Sequence, residues 1–209
     1  EEFKKLYDVN FKVIRSIAVL NETKFAHPKE KYILYQGAVN EGRSFETLIP
    51  AMKFINSKLI ICGDGNFMHQ AKELCRIHHV EDKVLFKGML SPEVLQEITS
   101  KSYIGITLFE QGAKSNYYSL ANRFFDYTHS GTPQICVDYP LYQELNKKYD
   151  IAVLIDDLKP DSIALVVSRL LEDESRWKSL HENCKTAAKE LCWQNEEKIL
   201  IAFYKKIFG

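Results

Sequence analysis

From Lys31 to Ile155, short apolar runs alternate with helix-length amphipathic segments. Strands joined by long helical crossovers pair in parallel, so this alternation leads to a doubly wound α/β sheet with helices on both faces. Tyr32-Ile33-Leu34-Tyr35 is the first clear strand and ends at Gly37. Phe45, Leu48, Ile49, Met52 and Ile55 then recur at helical spacing, with Ser44 as an expected N-cap. Pro50 falls inside that pattern and is expected to kink or shorten the helix. Further strands are expected at Lys58–Cys62, Val84–Phe86, Tyr103–Phe109, Gln134–Val137 and Ile151–Ile155. Ser91-Pro92 opens a helix with a cap and a first-turn proline. Residues from Glu110 to about Tyr117 read as a polar loop. A helix runs from Leu120 to about Ser130, a short one covers Tyr142–Lys147, and three more cover Asp161–Glu172, Glu174–Leu191 and Asn195–Ile207. Phe11 to Ile17 is a strand or an extended arm, and Asn21 to Lys31 reads as a linker.

Charge and cysteine usage narrow the function classes. The 209 residues carry 28 Lys+Arg and 28 Asp+Glu, so the formal net charge is zero. That balance offers no broad cationic footprint for nucleic acid, although a small basic pocket is compatible with it. Five cysteines without CxxC spacing, two of them inside apolar runs, fit a reduced, cytosolic setting. No Cys/His cluster has ligand spacing, so no metal is expected. No apolar stretch approaches ~18 residues, and peripheral contact with the inner face of a membrane stays open.

Open parallel sheets bind ligands beyond the C-terminal ends of their strands. Three features converge there. Arg43 precedes a helix N-terminus, where a cation is disfavoured by ~0.3–1 kcal/mol. An anion at that terminus removes the conflict, while pairing of Arg43 with Glu41 is the other reading. Gly63-Asp64-Gly65 permits a tight turn and close approach of backbone to ligand. Met68 stands where a GxGxxG fingerprint needs its third glycine, so this is no dinucleotide motif. Asn122, Arg123 and Asp126 share a helix edge. Asp126 can accept two hydroxyl hydrogen bonds, as from a ribose, or can pair with Arg123.

In order and spacing these segments resemble the C-terminal, donor-binding domain of GT-B fold, family 4-like retaining glycosyltransferases. The resemblance is carried by Tyr35-Gln36-Gly37-Ala38 with Glu41-Gly42-Arg43, by Ile60 to Gly65, by Val84 to Gly88, and most strongly by Ala121 to Tyr127 through Gly131-Thr132-Pro133. Trp193 to Glu196 and Phe203-Tyr204 resemble the family's C-terminal helix. The resemblance implies a nucleoside-diphosphate sugar donor and no metal. It implies that Arg43, Gly37, Gly63 and Gly65 hold the diphosphate, and that Asp126 binds the ribose. Phe86, Lys87 and Leu90 would lie along the base, and Asn122 and Arg123 near the diphosphate and sugar. Two positions depart from the pattern. Ala38 stands where many members have a second basic residue, and Tyr118 where they have the first of two glutamates. The Asn116-Tyr117-Tyr118 run must then meet the donor sugar differently. A non-catalytic scaffold or binding module is the alternative these departures suggest. The resemblance also implies a second, N-terminal acceptor domain ahead of Glu1. Residues 1–30 would then be the interdomain connection or an extended arm. Residues 31–209 would form the nucleotide-sugar-binding domain, with 195–209 crossing back as a terminal helix.

Overall fold

The computed structural model describes residues 2–9, 11–22, 25, 29–112 and 114–208. A short helix, α1 (Glu2–Tyr7), precedes an irregular stretch, and the sheet begins at β1 (Glu30–Gln36). The alternation then runs through α2 (Phe45–Ala51), β2 (Lys58–Cys62), α3 (Met68–His78), β3 (Val84–Gly88), α4 (Pro92–Lys101) and β4 (Ser102–Thr107). It continues with α5 (Lys114–Tyr117), α6 (Asn122–His129), β5 (Gln134–Val137), α7 (Pro140–Tyr149) and β6 (Ala152–Ile155). Three helices close the chain: α8 (Pro160–Glu172), α9 (Glu174–Glu190) and α10 (Trp193–Phe208).

All six strands pair in parallel in the order β3-β2-β1-β4-β5-β6. The order reverses between β1 and β4, which opens a crevice beyond their C-terminal ends. Central β1 explains its own apolar run. Ile33 and Tyr35 join the main core with Phe45 and Leu48 of α2, whereas Tyr32 and Leu34 meet Tyr127 of α6 with Leu95 and Ile98 of α4. Successive side chains point to opposite faces, so both layers need apolar residues from this strand. On one face α2 packs with α3 and α8; on the other α6 packs with α4 and α9.

Several boundaries differ from expectation. The polar loop after β4 contains α5, and α6 begins at Asn122 rather than Leu120. Helix α7 reaches back to Pro140, which suits the first turn of a helix because it has no N–H to leave unpaired. Pro50 lies within α2, which spans only seven residues. Ser44 takes the N-cap position, but its hydroxyl makes no cap bond. Its φ is 59°, and its Oγ is buried without a partner.

Of the two readings of Phe11–Ile17, the structure shows the extended arm, without strand pairing. The arm is tied to the start of α10. Ala18 O accepts from Trp193 N at 3.1 Å, and Gln194 exchanges two hydrogen bonds with the Leu20 backbone. Glu196, 5% exposed, accepts from the Arg15 backbone and guanidinium. Of the linker expected over Asn21–Lys31, residues 23, 24 and 26–28 lie outside the described residues, while Glu30 and Lys31 already belong to β1. Beyond these ties, Ile201, Phe203, Tyr204, Ile207 and Phe208 of α10 are exposed.

Candidate functional site

The loops after β1 and β2 interlock before either reaches its helix. Gly37 N donates to Cys62 O at 2.9 Å, Val39 N to Asp64 O at 3.0 Å, and Phe67 N to Val39 O at 2.9 Å. Gly63 has φ 139°, and a Cβ there would overlap the Gly37 carbonyl. Gly65 is packed as tightly, against Val39 and the Asn40 side chain. These glycines therefore let two backbones touch, which settles the loop geometry at the strand ends.

The crevice encloses a cavity of about 480 Å³, lined among others by Gly37, Arg43, Asn116, Asn122, Arg123 and Asp126. Two smaller cavities adjoin it. One of about 310 Å³ includes Gly63, Met89 and Leu90 and shares Gly37, Ala38 and Leu95 with the first. The other, of about 240 Å³, includes Pro92, Gln96 and Thr99 and shares Gln36, Leu95 and Asp126. Leu90 thus lines the groove. Phe86 and Lys87 line none of these three cavities; Phe86 packs against the core beneath Lys72, and Lys87 is exposed. Tyr118 is 55% exposed and stands outside the main cavity's lining, although its neighbour Asn116 is inside.

Two guanidinium groups dominate the main cavity. Arg43 stacks 4.7 Å from the centre of the Phe109 ring, and its Nη1 donates to Asn116 Oδ1 at 3.4 Å. Burial, and next the charge of Arg123, hold the Arg43 pKa below the ordinary arginine value. Arg123 is only 8% exposed. Its guanidinium lies between Tyr35 and Phe109, 4.5 and 4.6 Å from the ring centres, within cation–π range. Nη1 donates to the Gln36 carbonyl at 3.2 Å, while Nε and Nη2 are buried with no hydrogen-bond partner. A buried polar group without a partner costs about 1–3 kcal/mol, and more when charged. Asp126 Oδ2 accepts from Gln36 Nε2 at 3.0 Å. Arg123 and Asp126 therefore engage opposite ends of Gln36, a residue whose role the sequence did not announce. The only signal was a polar side chain closing an apolar strand. Phe109 was likewise missed, because it reads as one more apolar residue.

Among the described residues, no group of three or more His, Cys, Asp or Glu side chains is placed to hold a metal ion. The cavity instead offers two cations, a carboxylate and the N-terminal end of α6, a combination that suits a ligand bearing both anionic and hydroxyl groups.

An open parallel sheet in this order, with its cavity at the switch point, is a Rossmann-like domain, an architecture consistent with the GT-B fold. Residues 20–191 match the family model described as glycosyl transferases group 1, and the chain belongs to that family. It is 27% identical over 202 residues to an uncharacterized glycosyltransferase of Methanocaldococcus jannaschii, covering 94% of this chain and 48% of that protein. Among solved structures it resembles sucrose-phosphate synthase from Thermosynechococcus elongatus, with TM-score 0.78 and 17% identity over 99% of this chain and 56% of that one. It also resembles Anabaena HepE, solved in complex with UDP-glucose, with TM-score 0.70 and 12% identity over 84% and 49% of the two chains. The chain spans about half the length of the M. jannaschii and Anabaena relatives.

Proposed function

We propose that this chain is the donor-binding domain of a glycosyltransferase and holds a nucleoside-diphosphate sugar in the crevice between β1 and β4. The observation that carries the reading is Arg123, buried in the cavity wall with two unpartnered donor nitrogens. Both nitrogens are closed off as the side chain stands, so the guanidinium would turn toward a diphosphate to donate to it, and the anion would neutralise the repulsion between Arg123 and Arg43. A Cβ on Gly37 would lie 3.2 Å from Arg123 Nη1, so the guanidinium reaches the loop that carries Ala38. Arg123 thus supplies charge where Ala38 does not. Asp126, fixed by Gln36, would accept from the ribose hydroxyls. As the sugar leaves, negative charge develops on the diphosphate, and the same two arginines would stabilise it.

The parent protein would transfer the sugar, with retention, to a glycan or lipid-linked acceptor held by a second domain. Relatives about twice as long and the exposed apolar residues of α10 support that second domain. Residues 1–30 and 195–209 would connect the two domains. Five free, buried cysteines support a cytosolic setting, and the exposed apolar side chains leave room for contact with its membrane face. Calorimetric titration with UDP, GDP and inorganic pyrophosphate tests the donor reading. Saturable binding of a nucleoside diphosphate that weakens in Arg43→Ala is expected. No heat with any of the three at millimolar concentration would sink it.

A further inference from the structure

Asp126 can read a ribose only if its carboxylate stays in one place, and Oδ2 is hydrogen-bonded by a side chain from another element. Gln36, 4% exposed at the end of β1, donates from Nε2 to Asp126 Oδ2 at 3.0 Å. Its other end, Oε1, is 2.6 Å from the hydroxyl of Thr99 in α4, itself 2% exposed. An amide group is nearly symmetric in shape but opposite in hydrogen-bonding character at its two ends. Turned over, it would set Oε1 against the carboxylate, acceptor facing acceptor. What holds it the right way round is a donor at the far end. The Thr99 hydroxyl also lies 2.7 Å from the Leu95 carbonyl, and one hydroxyl hydrogen serves one acceptor well. If it served Leu95, its oxygen would face Oε1 with no hydrogen between them. The consistent arrangement therefore runs from the Thr99 hydroxyl to Gln36 and from Gln36 to Asp126. A carboxylate has about four lone-pair sites, so accepting from Gln36 is compatible with accepting from hydroxyl donors as well.

We infer that Thr99 is a positioning residue: through the Gln36 amide it holds Asp126 in the orientation that accepts a ribose diol. The inference rests on the donor-site reading and names what sets its preference for a ribonucleotide. Asp126 and Gln36 both border the 480 Å³ and the 240 Å³ cavities, so the relay sits where the two join.

The test titrates UDP and its dideoxyribose analogue into the wild type, Thr99→Val and Thr99→Ser. Valine is nearly isosteric with threonine and keeps the packing. The wild type is expected to prefer the ribonucleotide. Thr99→Val should lose about ten-fold of that preference, the size of one hydrogen bond to a charged group, with binding of the analogue little changed. Thr99→Ser should restore the preference. Retention of the full preference in Thr99→Val, or equal weakening of both ligands, overturns the inference. A second readout needs no ligand. In the wild type and Thr99→Ser, one proton of the Gln36 side-chain amide should be shifted downfield and protected from exchange in NMR spectra. In Thr99→Val that signature should vanish, and its persistence overturns the relay. Failure of the wild type to bind UDP, with the amide signature behaving as stated, counts against the donor reading and leaves the relay standing.

Discussion

The two edges of the sheet each hold a cation withdrawn from solvent, and they treat it in opposite ways. At the N-terminal edge, Lys29 donates from Nζ to Ser100 O at 2.8 Å, Ser130 O at 2.6 Å and Thr132 Oγ1 at 2.9 Å. Three donors meet three acceptors, and the lysine ties the chain entering β1 to the starts of β4 and β5. At the C-terminal edge, Arg123 is more deeply placed than the half-buried Lys29, yet leaves two nitrogens without a partner. A satisfied buried cation holds a fold together, whereas an orphaned one stores a cost that a ligand can remove. The difference separates a structural edge from a binding edge without any appeal to relatives.

The comparison predicts a double dissociation. Arg123→Met should cut nucleoside-diphosphate affinity at least ~100-fold, because two charge-assisted hydrogen bonds are lost. The same change should move stability by no more than ~1 kcal/mol, since an unsatisfied buried charge is replaced by an apolar side chain of similar reach. Lys29→Met should do the reverse. It leaves buried acceptors without a donor and should cost ~2–4 kcal/mol in denaturant unfolding, with affinity nearly unchanged. Equal effects of the two substitutions on affinity would break the comparison.

Proton linkage offers a smaller and independent check. Burial pulls the Lys29 pKa from 10.5 down to about 7, with nearby Lys185 acting in the same direction and Cys184 opposing, so the three-donor ammonium belongs to the lower pH range and gives way to a two-donor amine above it. Between those two values the unfolded chain binds more protons than the folded one, so this group makes stability rise with pH. The rise should start near pH 7 and fade toward pH 10. There the buried tyrosines Tyr127 and Tyr142, with pKa values pushed up by desolvation, begin to oppose it. Urea unfolding across that range should show the rise in the wild type and a flatter profile in Lys29→Met.

The smallest expected effect lies beside Arg43. Ser44 holds φ 59° and a buried, unpartnered hydroxyl. Ser44→Gly removes both costs and should stabilise the protein by about 1 kcal/mol, visible as a raised unfolding midpoint. A lowered midpoint would mean that the serine hydroxyl is satisfied after all.

The strands, most of the helices and the place of the crevice were legible from apolar periodicity, because β1 to β6 each bury enough surface to leave a run in the sequence. Arg43, Asn116, Asn122, Arg123 and Asp126 were also legible, and the fold brings them to one cavity. The rest was hidden for a physical reason. Gln36 acts on residues 63 and 90 positions away, and Lys29 on residues 71 to 103 away. No local pattern marks such partners. Lys29 fell in a segment that reads as linker, and Thr99 is one hydroxyl in an ordinary amphipathic helix. Of the three residues expected along the base, Leu90 lines the groove with Met89, past the turn at Gly88 (φ 65°), whereas Phe86 and Lys87 line none of the three cavities.

Whether the Arg123 guanidinium seats a diphosphate can be read from the Arg123 Nε–H resonance while UDP is added to the wild-type protein. A saturable downfield shift and protection from exchange are expected, with the Lys29 ammonium signal unmoved. Saturable UDP binding that leaves the Arg123 Nε–H signal unchanged would contradict a diphosphate seat there.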